Sequence, residues 1–226
     1  MPPVLLAFAL AVLADLTAVA LHLPLLEDVS KPLLVPLLAL HMMRAGGGAR
    51  PVVLAGLALA TAGDVALLLP GTAAFLAGTA CFLGFQLAYV AAFAREGALA
   101  HLRRRPWLYA GALAVWAAAN AALAPGLGSL AWAVAPYSLA LVTMAVTAPV
   151  LGTAAAWGGA VFVASDLLVG LGVAGVEFTG RRVLVTATYA AAQFLLARAW
   201  AAAPPESGPA RPQPAVRAPS PAVGNP

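Results

Sequence analysis

The sequence predicts an all-α membrane protein, a polytopic bundle of about eight transmembrane helices with both termini in the cytoplasm. Of its 226 residues, 63% are hydrophobic and only 9% are charged. A soluble domain carries about a quarter charged residues, so the composition excludes that class. Apolar segments of the length that a spanning helix needs, roughly 20 residues, follow one another with short polar connections. We therefore expect one transmembrane domain over residues 1–202.

Eight segments are predicted to span the membrane. The first is interpreted as a retained helix and not a signal peptide, because its Met-Pro-Pro start lacks a basic region. In the second, Pro32 is suited to the first helical turn and Pro36 to a kink. A Pro70-Gly71 turn ends the third, and a polar loop follows the fourth. The spans are expected at residues 4–23, 32–43, 51–69, 72–94, 107–123, 130–150, 154–174 and 182–202, with a disordered Pro-rich tail over 203–226.

The basic residues set the predicted orientation. With the N-terminus inside, Lys31, Arg181 and Arg182 lie outside and the other nine of the twelve basic residues are cytoplasmic, as the positive-inside rule favours. Because the arginines lie in short loops, the net charge of +4 does not indicate nucleic-acid binding. The single cysteine excludes an intrachain disulfide. Lysine is nearly absent while alanine, arginine, proline and glycine are abundant, which we interpret as the composition of a GC-rich bacterial genome, and we expect the protein in the inner membrane.

Two buried acids organise the predicted site. Asp64 and Asp166 lie at similar depths in two outward-running helices, and Asp15 in the first helix lies at much the same depth. A charge at the bilayer centre costs about 3 kcal/mol on insertion scales, so each carboxyl needs compensation. If Asp64 and Asp166 approach each other, repulsion and desolvation would keep at least one protonated, which gives a general acid and a general base. The alternative is that they only hydrogen-bond neighbouring helices.

Further polar side chains lie between the midplane and the outer side. Tyr189 and Gln193 are four residues apart and share a helix face, and Tyr137 lies at a comparable depth. Lys31, the only lysine, lies at the outer mouth, where the alternatives are that it extends to the lipid headgroups, binds a phosphate or pairs with an aspartate. Tyr89 and Tyr137 have packing as their alternative role. Together these residues predict a pocket that opens outward or into the outer leaflet.

A weak internal repeat has the same layout. Gly63-Asp64 precedes Gln86 and Tyr89, as Ser165-Asp166 precedes Tyr189 and Gln193. This order suggests two four-helix halves in parallel orientation. The three histidines lie at different depths, so the sequence predicts no three-histidine metal site, and it contains no nucleophile elbow or Walker loop.

The ordered set of motifs resembles the lysoplasmalogenase (YhhN) family of integral membrane proteins. The motifs are Lys31-Pro32-Leu-Leu-Val-Pro36, Gly63-Asp64, Phe82-Leu-Gly-Phe-Gln86-Leu-Ala-Tyr89, Pro136-Tyr137, Gly159-Ala-Val-Phe-Val-Ala-Ser165-Asp166 and Thr188-Tyr189-Ala-Ala-Ala-Gln193. The resemblance implies hydrolysis of the vinyl ether bond of lysoplasmalogens to a fatty aldehyde and a glycerophospho-base. It implies no cofactor, and as partners only a lysophospholipid substrate and membrane lipids.

On this resemblance, Asp64 and Asp166 share the acid and base roles. The expected substrate contacts are Lys31, Gln86, Tyr89, Tyr137, Tyr189 and Gln193. The chain departs from the resemblance at Gln86, where a histidine is expected, and glutamine has no proton to shuttle at neutral pH. A small proton-coupled transporter and a non-catalytic lipid-binding protein are the competing hypotheses. The sequence leaves the oligomeric state open.

Overall fold

The prediction of an all-α fold is confirmed. The computed structural model describes residues 2–45 and 50–204, and within these ranges it contains nine α-helices and no strand. The part of the predicted tail from residue 205 onward lies outside the described residues. The helices are α1 (Pro3–Leu21), α2 (Pro24–Arg44), α3 (Pro51–Leu68), α4 (Thr72–Arg95), α5 (Ala98–Arg103), α6 (Pro106–Leu127), α7 (Ala131–Thr147), α8 (Thr153–Val173) and α9 (Arg181–Ala202).

The long helices have the length and composition of membrane spans. Among the described residues, six helical segments are long and apolar enough to cross a membrane. One of them covers 46 residues, Pro106–Leu151, and contains both α6 and α7, which a 3₁₀ turn at Gly128–Leu130 separates. The helix α2 is not among the six, and it carries Glu27, Asp28 and Lys31 in its first half. The protein is therefore a multi-pass helical bundle.

The predicted start of the second helix was wrong. The helix α2 begins at Pro24, eight residues before Pro32, and continues through both Pro32 and Pro36. Its first turn carries Glu27, whose negative charge is favourable at a helix N-terminus. The polar loop predicted after the fourth span also differs, since it contains the short helix α5.

Neighbouring helices form hairpins, and the two halves of the chain make corresponding contacts. The helices pair as α1 with α2, α3 with α4, α6 with α7, and α8 with α9. Between the halves, α4 contacts α7 and α9 contacts α2. If α1, α2, α3 and α4 are matched in order with α6, α7, α8 and α9, the contact between α4 and α7 corresponds to the contact between α9 and α2. This is the arrangement that a parallel duplication would produce, and the repeat itself stays a prediction.

Ion pairs mark the two ends of the bundle. At one end, Arg182 at the start of α9 binds Glu27 at the start of α2, with Nη2–Oε2 at 2.9 Å. We call this the Lys31 end. At the other end, Arg50 forms an ion pair with Glu96, donates to the backbone oxygen of Pro204 and lies 4.9 Å from the ring centre of Trp200. Both pairs join segments that are far apart in the sequence.

Large apolar side chains cover the outside of the bundle. Leucines along α1, among them Leu6, Leu10 and Leu13, are more than half exposed. Trp107 and Trp132, at the starts of α6 and α7, are also exposed. Tryptophan is enriched at membrane interfaces, so the two rings lie where headgroups would meet opposite ends of the bundle. An outer surface of this kind is suited to lipid and not to water.

Small residues allow the helices that carry the acids to pack closely. A Cβ at Gly159 of α8 would lie 2.8 Å from the Cα of Ala145 in α7. A Cβ at Gly63 of α3 would lie 2.7 Å from the ring of Phe82 in α4. Glycine removes both clashes, and the helix backbones approach as they do at other small-residue interfaces in membranes. Gly63 precedes Asp64 directly, so this close approach fixes the height of Asp64 against α4.

Candidate functional site

The two predicted acids line one cavity. Asp64 is the fourteenth residue of α3 and Asp166 the fourteenth of α8. The cavity has a volume of about 160 Å³. Its wall is mainly apolar, and its polar members are Lys31, Asp64, Thr79, Tyr137, Ser165, Asp166, Thr186 and Tyr189. Of the eight residues that the sequence predicts as substrate contacts or catalytic groups, five are buried and five lie on this wall.

Asp64 is held by a tyrosine and a glutamine from α9. The Tyr189 hydroxyl donates to Asp64 Oδ2 at 2.6 Å, and it accepts from Gln193 Nε2 at 3.2 Å. All three side chains are at most 6% exposed. The predicted shared face of Tyr189 and Gln193 is therefore used, with Gln193 orienting the phenol and the phenol orienting the carboxyl.

Asp166 is held by a tyrosine from α7. The Tyr137 hydroxyl donates a short hydrogen bond to Asp166 Oδ2. The amide of Gln86, a fully buried side chain of α4, lies close to the Tyr137 hydroxyl but forms no well-aligned hydrogen bond in the described part of the chain. Each aspartate therefore has its own tyrosine, and a glutamine lies beside each tyrosine.

No hydrogen bond joins the two carboxyls among residues 2–45 and 50–204. Tyr189 binds Asp64 and Tyr137 binds Asp166, so each acid is held by a tyrosine from a different helix. The direct approach of Asp64 to Asp166 that the sequence left open stays a prediction. A substrate between the two carboxyls would meet one from α3 and one from α8.

Lys31 lies at the mouth of this cavity. It belongs to the first half of α2, and its Nζ is 3.7 Å from Glu27 Oε1, which Arg182 also binds. The three side chains carry a net positive charge, and the lysine interacts electrostatically with Asp64 and Asp15. A single positive charge in excess at the mouth of an apolar cavity is suited to an anionic group such as a phosphate.

A comparison with models of protein families shows which family the chain belongs to. The model of the YhhN family matches residues 26–200, which is more than half of the chain. The chain belongs to the YhhN family. No curated protein and no solved structure matches it. It is thus a lysoplasmalogenase-like membrane protein, and the matched range contains every residue that the sequence predicts for the site.

Three of the predicted site residues of this YhhN protein lie away from the cavity wall. Gln86 and Gln193 stand behind the tyrosines that they contact. Tyr89 is fully buried, with its ring centre 4.4 Å from Phe85 and 5.9 Å from Phe93. Its hydroxyl has no hydrogen-bond partner in the described residues. The structure therefore gives Tyr89 the packing role that was its alternative.

Asp15 belongs to a separate contact between α1 and α2. It is 0% exposed and accepts a hydrogen bond from Ser30 Oγ at 3.0 Å. Ser30 immediately precedes Lys31, so the contact fixes the turn of α2 from which Lys31 extends. Ser30 was not predicted as a site residue from the sequence. A signal was present, since Ser30 is adjacent to a charged residue that the sequence marks as a site candidate.

Two other polar features were missed. Ser165 Oγ donates to the backbone oxygen of Val185 at 3.2 Å and joins α8 to α9 beside Asp166. In α6 and α7, Trp116 Nε1 and Asn120 Nδ2 both donate to Ser138 Oγ, at 3.0 and 3.2 Å. An amide within an apolar span follows the same rule that singled out the aspartates, so Asn120 was detectable from sequence.

In the described residues no three His, Cys, Asp or Glu side chains form a group that could hold a metal.

Proposed function

We propose that this YhhN protein hydrolyses the vinyl ether bond of a lysoplasmalogen within the membrane, releasing a fatty aldehyde and a glycerophospho-base such as glycerophosphoethanolamine. The observation that carries the proposal is the pair of carboxyls, Asp64 and Asp166, on the wall of one apolar cavity with a positive charge at its mouth. Membership of a lysoplasmalogenase-like family supports the same reaction class.

The chemistry of a vinyl ether requires one acid and one base. A proton adds to the β-carbon of the double bond, a C–H bond forms, and the positive charge is shared between the α-carbon and the ether oxygen. Water then attacks the α-carbon, loses a proton to the base and gives a hemiacetal. In the collapse of the hemiacetal its hydroxyl proton returns to the first carboxylate, the bond to the glycerol oxygen breaks as that oxygen takes the proton from the second carboxyl, and the aldehyde is left. One carboxyl supplies the first proton, and the other stabilises the cation and takes the proton from water.

The tyrosines hold the two carboxyls for these roles. Because Tyr189 donates to one oxygen of Asp64 and Tyr137 to one oxygen of Asp166, each carboxyl keeps its other oxygen for the substrate. A carboxyl fixed in this way loses little orientational freedom at the moment of reaction. Gln86 needs no proton-transfer role in this scheme, since its place is beside Tyr137.

The charged mouth of the cavity is suited to the headgroup. Lys31 would pair with the phosphate, while Glu27, bound to both Lys31 and Arg182, would meet an ammonium group. A single-chain lipid is proposed in place of a lipid with two chains, because the cavity is small, about 160 Å³. The proposed substrates are therefore lysoplasmenyl lipids with ethanolamine or choline headgroups.

The test is aldehyde release by the purified protein in detergent. Lysoplasmenyl-ethanolamine is the substrate, and an ester lysophospholipid of equal chain length is the control. Asp64→Asn and Asp166→Asn should each abolish aldehyde release while the protein remains folded. Asp28→Asn, which removes an exposed carboxyl at the same end of α2, should keep full activity.

Two results would overturn the proposal. Full activity in either cavity variant would remove that aspartate from the mechanism. A folded wild-type protein that releases no aldehyde would refute vinyl ether hydrolysis, and proton-coupled uptake into vesicles would then be measured with the same variants.

A further inference from the structure

A second cavity adjoins the first through Tyr137 and Asp166. It has a volume of about 130 Å³ and lies between α6, α7 and α8. Val134, Tyr137, Asp166 and Gly170 line both cavities. We call the first cavity, which Lys31 lines, the headgroup cavity. The hydrogen-bonded pair of Tyr137 and Asp166 lies at the junction between the headgroup cavity and the second cavity.

The wall of the second cavity is apolar. Its three residues with hydrogen-bonding side chains that belong to this cavity alone, Trp116, Asn120 and Ser138, bind one another. They present little unsatisfied polarity to a ligand. The remaining wall is formed by small and branched apolar residues: Val115, Ala119, Leu123, Leu141, Val142, Val163 and Leu167. A wall of this chemistry accepts a hydrocarbon chain and offers no partner to a second charged group.

The helix α6 is the most loosely held long helix around this cavity. Of its 22 residues only Leu127 is buried. It contacts the bundle chiefly through α7 and α8. Val115, which lines the cavity, is 70% exposed on the outer surface. The cavity wall is thus continuous with the face of α6 that lipid would cover.

We propose that the second cavity binds the hydrocarbon chain of the substrate, which enters from the bilayer between α6 and α8. This inference rests on the proposed function and adds the place of the chain. With the phosphate at Lys31 and the chain beyond Tyr137, the reacting double bond lies at the junction. Along that direction the ether oxygen comes first, then the α-carbon, then the β-carbon.

The direction of the chain assigns the two acid–base roles. Asp166 lines both cavities, so it lies on the chain side and delivers its proton to the β-carbon, where the new C–H bond forms. Of the two cavities, Asp64 lines only the headgroup cavity, and it shares the wall of that cavity with Lys31. It stabilises the cation at the α-carbon and the ether oxygen and then accepts the proton of the attacking water.

Gly170 offers a way to narrow the junction. A Cβ at this position meets only Leu123 Cδ1, at 3.6 Å, which is an ordinary contact. Gly170→Ala is therefore accommodated, while the longer side chain in Gly170→Leu extends into the junction. Gly111 of α6 is the matched control, because it is exposed and a Cβ there meets nothing within 4 Å.

The experiment compares two vinyl ether substrates with the same headgroup, one with a long chain and one with a chain of four carbons. For Gly170→Leu, kcat/KM should fall about tenfold or more with the long chain, a typical effect of misfit in an apolar pocket. With the short chain it should stay within about threefold. Gly111→Leu should change neither. Equal losses with both substrates, or no loss with the long chain, would overturn the assignment of the chain cavity.

A binding measurement separates this inference from the proposed function. A lysophosphatidylethanolamine with a photoreactive diazirine at the end of its chain is crosslinked to the wild-type protein, and the labelled peptides are identified by mass spectrometry. Labels should fall on α6, α7 and α8, and Gly170→Leu should reduce them. Such labels in a protein without turnover would keep the chain cavity and refute the hydrolysis. Labels confined to other helices would refute the chain cavity even if turnover is found.

Discussion

Tyr189→Phe tests whether the tyrosines position the acids. The change removes one hydroxyl, so Asp64 loses the donor at 2.6 Å and Gln193 loses the acceptor at 3.2 Å. A hydrogen bond to a charged group contributes about 1.5–3 kcal/mol. Because about 1.4 kcal/mol is a factor of ten in rate, kcat should fall about 10- to 150-fold if the full interaction is needed in the transition state.

The matched control is Tyr89→Phe. Tyr89 is as deeply buried as Tyr189, and its hydroxyl has no hydrogen-bond partner in the described residues. The same atom is removed, yet no carboxyl is affected, so activity should change by less than about threefold. Both variants are assayed for aldehyde release and for thermal unfolding in detergent. Equal losses of activity in the two variants, or full activity in Tyr189→Phe, would refute the positioning role.

Three further predictions concern the charged mouth, the unusual glutamine and the helix packing. Lys31→Ala should raise KM for a phosphate-bearing substrate about tenfold and leave a vinyl ether without phosphate unaffected; equal effects on both substrates would contradict the headgroup role. Gln86→His and Gln86→Leu should both stay within about threefold of wild-type activity in the aldehyde assay, because neither Gln86 Nε2 nor Gln86 Oε1 has a hydrogen-bond partner in the described residues; a larger loss in either variant would oppose this. Gly159→Ala should lower the unfolding temperature in detergent, because its Cβ would lie 2.8 Å from the backbone of Ala145, and the cost is about 1–3 kcal/mol. Gly111→Ala, where nothing lies within 4 Å, should not lower it, and equal losses would contradict the packing argument.

The sequence was sufficient for the parts of the fold that follow from hydropathy. Apolar length located the helices, and the rule that membrane acids need compensation singled out Asp64 and Asp166 as candidate site residues. Hydropathy failed at the start of α2. There Glu27, Asp28 and Lys31 reduce the apolar character, and Pro32 looks like a helix start. In the folded chain Glu27 is bound to Arg182, which is 155 residues away, so the charge that argued against a helix is compensated by a distant partner.

The partners of the acids were also beyond the sequence. The internal repeat pairs Tyr189 with Asp166, which lies in the same half of the chain. In the structure Tyr189 donates to Asp64, 125 residues away, and Asp166 is bound by Tyr137 of the preceding helix. The choice depends on how the halves pack, which hydropathy does not report. Tyr89 is a similar case. Its polar hydroxyl within an apolar span suggested a site residue, but in the structure its ring packs against Phe85 and Phe93 in the core.

The most direct test of the central claim is the fate of one proton. Lysoplasmenyl-ethanolamine is hydrolysed in D₂O, and the aldehyde is reduced as it forms so that it has no time to exchange with solvent. If a carboxyl protonates the β-carbon, the wild-type product carries one deuterium at that carbon, and Asp64→Asn and Asp166→Asn give no product. Aldehyde without deuterium at that carbon, or labelled aldehyde at the wild-type rate from either variant, would contradict the account.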